Sequence, residues 1–185
     1  MEQSIIIAGF GGQGVLSAGI ILANSFMLND KNVTWYPCYG AEMRGGAVNC
    51  EIVVSEEEVT SVHKKECDIL IALNDLSFNK FISKVKKNGI VIANSSFIEE
   101  MRPREDVNYI FSKISDMARE NGSIKAANML ALGILTEVCE LCDINSIKKA
   151  LDKVLSPDKI HLKDLNYQIL TIGQNVGSEY KNRKN

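Results

Sequence analysis

The sequence predicts an α/β chain of Rossmann-like, doubly wound architecture, a mostly parallel sheet with helices on both faces. Three observations carry this. Short β-branched runs alternate with segments of helical period, the order that builds parallel sheets from strand–helix–strand units. The first run, Ile5-Ile6-Ile7-Ala8, is continuously apolar, as in a strand covered on both faces. It ends in glycines that open directly into a helical pattern.

The elements follow in order. After the first strand, residues 13–28 place Leu16, Ile20, Ala23 and Met27 at helical spacing. Val33-Thr34-Trp35-Tyr36 reads as a second strand closed by Pro37, so the chain opens as β-α-β. Residues 38–49 have no period and contain paired glycines, which mark a loop with special backbone demands. Val48, Cys50, Ile52 and Val54 then alternate with Asn49, Glu51 and Val53, an imperfect half-buried strand. Residues 68–73 form a buried strand, and Asp75 is placed to cap a helix reaching Lys86. Residues 89–93 and 108–111 supply two more strands. Residues 124–142 are apolar around most of a helix, which predicts that it is largely buried. Residues 145–155 look amphipathic. Leu162, Leu165, Ile169, Ile172 and Val176 predict a last helix. Residues 1–180 thus read as one domain, with a polar tail at 181–185 expected to fray.

Composition bounds the function. The chain has 185 residues, 45% apolar and 24% charged, with a net charge of -2, which offers no basic stripe for nucleic acid. No apolar run approaches the ~20 residues that span a bilayer. The N-terminus lacks the cationic segment and cleavage site of a signal peptide. The five cysteines, mostly in apolar segments, suit buried free thiols in a reducing cytoplasm. Cys139 and Cys142 are the one close pair, too few for an iron–sulfur cluster, and buried thiols are the favoured reading. Thiamine chemistry also lacks its Gly-Asp-Gly segment. His63 and His161 lie among lysines and read as surface residues without a ligand spacing.

The chemistry-bearing segment is Gly9-Phe10-Gly11-Gly12-Gln13-Gly14, between the first strand and first helix. Glycines at 9, 11 and 14 match a dinucleotide-binding spacing. Small residues let backbone N–H groups approach an anion, and the helix start adds partial positive charge. The alternative is a tight turn that only packs. An NAD site would place an acid at the end of the second strand, but that strand ends Trp35-Tyr36-Pro37-Cys38. No Gly-Lys-Ser/Thr follows either, so a P-loop is excluded.

The second informative segment is Tyr39-Gly40-Ala41-Glu42-Met43-Arg44-Gly45-Gly46, leaving the carboxyl end of the second strand, where such sheets bind ligands. The glycine loop with Gln13, this Tyr-Gly-x-Glu-x-Arg-Gly-Gly segment, residues 68–73 and residues 127–133 together resemble the gamma subunit, or gamma domain, of 2-oxoacid:ferredoxin oxidoreductases. These enzymes act on pyruvate, 2-oxoglutarate, ketoisovalerate or indolepyruvate. The resemblance runs over nearly the whole chain. It implies a holoenzyme that decarboxylates a 2-oxoacid oxidatively, forms an acyl-CoA and passes electrons to ferredoxin. Thiamine diphosphate and iron–sulfur clusters would sit on partner subunits, alpha and beta, with a delta subunit in some members. The gamma part would support assembly and contribute to coenzyme A binding. The loop Gly40-Ala41-Glu42-Met43-Arg44-Gly45-Gly46-Ala47 more closely resembles 2-oxoglutarate-type members, since pyruvate-type members more often carry a basic residue at 43 and a non-glycine at 46.

The resemblance makes Gly9, Gly11, Gly12, Gln13, Gly14, Arg44 and Gly45 candidate cofactor contacts, and Tyr39, Glu42 and Arg44 candidate interface residues. The Gln13 amide meets either a ligand or solvent. Arg44 either clamps an anion bidentately or pairs with Glu42 and stiffens the loop; the pairing is favoured. Asn128 is expected to cap its helix or bond the glycine loop. Catalytic residues and metal ligands are not expected on this chain. Two further readings remain: a stand-alone NAD or FAD oxidoreductase, and a purely architectural subunit.

Overall fold

The computed structural model describes residues 2–38, 47–99, 104–139 and 142–184. Among these, six strands form one sheet: β1 (Glu2–Phe10), β2 (Asn32–Cys38), β3 (Ala47–Ser55), β4 (Cys67–Ala72), β5 (Val85–Asn94) and β6 (Asn108–Ser112). Their spatial order is β2-β3-β1-β4-β5-β6. The pairs from β1 through β6 are parallel, while β3 runs antiparallel to both β1 and β2. The sheet is therefore mostly parallel, as the alternating pattern predicts. The expected β-α-β opening is corrected in one respect: β3 is inserted between β1 and β2. The residues explain the order. β3 is covered on both faces, Cys50, Ile52 and Val54 on one and Glu51 and Val53 on the other, so it is a central strand rather than a half-buried one. β2 carries Pro37, which lacks an N–H, and half-buried or exposed side chains, as an edge strand tolerates.

The described residues also form six α-helices: α1 (Val15–Met27), α2 (Asp75–Phe81), α3 (Ile114–Glu120), α4 (Ala127–Val138), α5 (Ile144–Val154) and α6 (Lys163–Lys184). They cover both faces unequally. Ile6, Ala8, Leu70, Ala72, Val91 and Ala93 meet Phe78 and Phe81 of α2. Ile5, Ile7, Ile52, Ile69, Ile71 and Ile92 face the other five helices. On that side α4 packs along α6, and its residues 127–135 are all buried.

Several boundaries differ from the sequence expectation. In α1 the buried face is Val15, Ala18, Ile21, Leu22 and Phe26, whereas Met27 is exposed and Leu16 and Ile20 are half-buried. The small residues Ala18 and Gly19 mark the side that fits closely against Cys50 and Trp35. Asn74, not Asp75, caps α2, its Oδ1 accepting from the Ser77 amide at 2.8 Å. That helix stops at Phe81, since Val85 is already buried in β5. The apolar segment 124–142 splits into a 3₁₀ turn at Ile124–Ala126 and α4, and α3 was not foreseen. α6 continues through the tail expected to fray, as far as Lys184. His63 is half exposed, but it has a partner: its Nδ1 lies 2.6 Å from Oε2 of the buried Glu51.

Candidate functional site at the carboxyl edge of the sheet

The glycine loop leaves the carboxyl end of β1. Gly9 and Phe10 are its last residues; Gly11 and Gly12 turn, Gln13 follows, and Gly14 is the N-cap of α1. Gly12 and Gly14 have φ of 94° and 71°, the left-handed region where a Cβ is strained. Gly14 brings no side chain to its own cap, and the first turn of α1 contains no acidic residue. The amides at that helix start are thus left for an external acceptor, with the helix dipole behind them.

Gln13 turns inward, where sequence reasoning placed it against ligand or solvent. Its Oε1 accepts from the Phe10 amide at 2.6 Å and from Asn74 Nδ2 at 3.0 Å; its Nε2 donates to the Leu73 carbonyl at 3.3 Å. The same Leu73 carbonyl accepts from Asn94 Nδ2 at 3.0 Å. Asn94, fully buried, also donates to Ser115 Oγ and accepts from the Ser115 amide. These amides tie the ends of β1, β4 and β5 to the start of α3. On the other side, Asn128 Nδ2 donates to the Gly14 carbonyl at 3.1 Å, as anticipated. Asn74 and Asn94 were missed. The available signal was an asparagine at the carboxyl end of each of two successive strand patterns.

Tyr39, Glu42, Arg44 and Gly45 lie outside the described residues. Their flanks are placed. Cys38 pairs with Asn49 across β2 and β3, Asn49 pairs with Ala8, and Ala47 pairs with Phe10 across β3 and β1. The described ends of the segment therefore stand at the same edge of the sheet as the glycine loop. The end of β2 stands two strands from β1, because β3 intervenes. Among the described residues the end of β2 carries no acid, and β3 separates it from the glycine loop, unlike the neighbouring strand end that holds a ribose.

The thiols are free. Cys139 and Cys142 are both buried, and desolvation pushes the Cys142 thiol up to about 12. Cys38, partly buried at the end of β2, is also raised, chiefly by burial. Neither position favours a thiolate nucleophile. Among the described residues no group of His, Cys, Asp and Glu is arranged to hold a metal, and no helix is long and apolar enough to cross a membrane.

Comparison with known proteins gives consistent results. The family model described as pyruvate ferredoxin/flavodoxin oxidoreductase matches residues 4–176. Ketoisovalerate oxidoreductase subunit VorA of Methanothermobacter marburgensis is 35% identical over 173 residues, 93% of this chain but 36% of VorA. This chain thus spans about a third of that relative's length. The 2-oxoglutarate synthase subunit KorC of Archaeoglobus fulgidus is 39% identical over 140 residues, covering 76% of this chain and 72% of KorC. Among solved structures, the keto/oxoacid ferredoxin oxidoreductase gamma subunit of Geobacter sulfurreducens superposes with a TM-score of 0.83 at 25% identity, over 96% of this chain and 99% of that one. A 2-oxoglutarate:ferredoxin oxidoreductase from Magnetococcus marinus shares the fold, with a TM-score of 0.86 at 22% identity over 96% of this chain and 31% of that one. Sheet order, glycine loop and sequence similarity converge, and the chain belongs to the pyruvate ferredoxin/flavodoxin oxidoreductase family.

Proposed function

We propose that this chain is the gamma-type subunit of a multisubunit 2-oxoacid:ferredoxin oxidoreductase, without turnover of its own. Its role is to dock alpha- and beta-type subunits and to contribute an anion contact for coenzyme A. The observation that carries the reading is the convergence of the glycine loop and the stems of the 39–46 segment on one sheet edge. An uncapped helix start suits a phosphate, and among the described residues no group of His, Cys, Asp and Glu is arranged to hold a metal. In this reading Gly11, Gly12 and Gly14 present backbone amides to the coenzyme, and Arg44 adds a bidentate cation. Gly9 and Gln13 hold the loop in shape, Gln13 through its internal bonds. Tyr39 and Glu42 meet the partner chains, and Gly45 lets the second segment approach. Thiamine diphosphate and iron–sulfur clusters belong to those partners, with ferredoxin as acceptor, in the cytoplasm. Similarity to KorC and residues Met43 and Gly46 favour 2-oxoglutarate as the substrate.

The test is purification of the native assembly followed by reconstitution. The isolated chain should turn over no 2-oxoacid; the chain with its co-purifying subunits should show CoA-dependent ferredoxin reduction, fastest with 2-oxoglutarate. Arg44→Ala should raise KM for CoA roughly tenfold, the loss of about one charge-assisted contact. Turnover by the chain alone would reject the proposal.

A further inference from the structure

A cavity of about 230 Å³ opens between the start of α1, the start of α4, the end of α5 and the start of α6, in the helix layer rather than on the sheet. Its lining divides by chemistry. Ile21, Met129 and Leu151 are buried and form an apolar floor, extended by the half-buried Val154 and Leu155. Lys125, Lys159 and Ser17 are exposed at the mouth, with the half-buried Asn166 beside them. None of these four polar side chains has a hydrogen bond or ion pair with a described residue. The contrast with Lys163, a few residues on and held by Asp152 at 2.9 Å, shows that nearby lysines do find carboxylates where one is offered.

We propose that this cavity binds a small amphiphilic organic acid, its carboxylate held by Lys125, Lys159, Ser17 and Asn166 and its hydrocarbon body on the Ile21–Met129–Leu151 floor. Two cations, a hydroxyl and an amide supply donors for one anionic head. The floor supplies no polar partner, so the remainder of the ligand is apolar. Size sets the class. A dry cavity of about 150 Å³ takes benzene, so this one takes an aliphatic or aromatic body of about six to nine carbons. Gly14, a coenzyme contact in the proposed function, also lines this cavity, so the two sites adjoin. The hydrocarbon floor of Ile21, Met129 and Leu151 takes no part in the coenzyme A reading, and the phosphate control separates the two.

The experiment uses the full 185-residue chain, titrated with hexanoate and 3-phenylpropionate, with acetate, hexanol and inorganic phosphate as controls. Binding is read by heat and by amide chemical shifts. Saturable binding of either larger acid with Kd near or below about 1 mM is expected. The amide shifts should centre on Ser17, Lys125 and Leu151. Acetate and hexanol should bind at least tenfold more weakly. Lys125→Glu with Lys159→Glu should weaken hexanoate binding at least tenfold. Leu151→Phe, which narrows the floor, should weaken it while leaving phosphate unaffected. Should Leu151→Phe fail to fold, Val154→Phe at the half-buried rim serves in its place. Failure of both larger acids to saturate would overturn the proposal. So would phosphate or acetate binding as tightly as hexanoate, or affinity unmoved by the paired charge reversal.

Discussion

At Asn94 four hydrogen bonds meet in one side chain with no exposure: two donated, to the Leu73 carbonyl and Ser115 Oγ, and two accepted, from the Ser96 and Ser115 amides. Asn94→Ala strands partners that water cannot reach, so it should cost about 2–3 kcal/mol, read as a lowered urea midpoint at unchanged slope. A substitution of the same type on the surface should cost a fraction of that. Asp143 sets a pH dependence. Its carboxylate caps α5, accepting from Ser146 Oγ at 2.6 Å and from the Asn145 and Ser146 amides. The Ser146 hydroxyl, first among these, holds the carboxyl below its ordinary 3.8. Since the folded value is the lower one, the chain binds this proton more readily when unfolded. The contribution is complete above about 3.8 and is lost as pH falls through the folded value. Asp143→Asn keeps a capping oxygen but cannot titrate. Its urea midpoint between pH 5 and pH 3 should therefore fall less steeply than that of the parent, and equal slopes would refute the assignment.

Between elements, the closest approach is that of α4 and α6. A Cβ on Gly133 would meet the Leu170 carbonyl and the Gln174 amide, and a Cβ on Gly173 would meet the backbone of Leu130. The two helices touch backbone to backbone, and neither side can give as a flexible side chain does. Gly133→Ala or Gly173→Ala should therefore destabilise by about 1–3 kcal/mol, despite alanine's better helix propensity. A thermal scan showing either variant at or above the parent Tm would contradict this. Such contacts also mark where sequence reading stops. The strands of this fold were legible because residues 5–8, 69–73 and 90–93 are continuous apolar runs containing β-branched residues. The glycine loop was legible because its spacing sits between a strand and a helix. Strand order was not, because nothing local to residues 47–55 says that they pair with β1 rather than follow α1; only burial of both faces reveals it. The helix at 114–120 is too short for its period to register. At the site, Gln13 was identified but its direction was not. The partners that draw it inward, Leu73 and Asn74, stand about 60 residues away in sequence.

Across the whole molecule, the carboxyl edge of the sheet is apolar as well as glycine-rich. Phe10 at the end of β1 is 39% exposed, Leu76 in the first turn of α2 is 47% exposed, and Phe97 just beyond β5 is 42% exposed. They follow β1, β4 and β5, three neighbours in the sheet, so one edge collects them. Single exposed apolar residues are ordinary, but several on one edge beside an uncapped helix start suit a surface that another chain covers. Under the proposed function that chain is the alpha- or beta-type partner. Removing this apolar surface should act on assembly and leave folding alone, since each side chain is already partly in water. Phe10→Asp and Leu76→Asp, singly and together, are expected to keep the parent Tm within about 2 °C, as exposed substitutions change stability little. They should reduce recovery of partner subunits with the tagged chain at least tenfold, the range of a buried aromatic or aliphatic anchor. The matching change at Ile160, 59% exposed in the 3₁₀ turn between α5 and α6, should leave recovery unaltered. If Phe10→Asp retains its partners as well as Ile160→Asp does, the assembly surface lies elsewhere, and the glycine edge is left to the coenzyme alone.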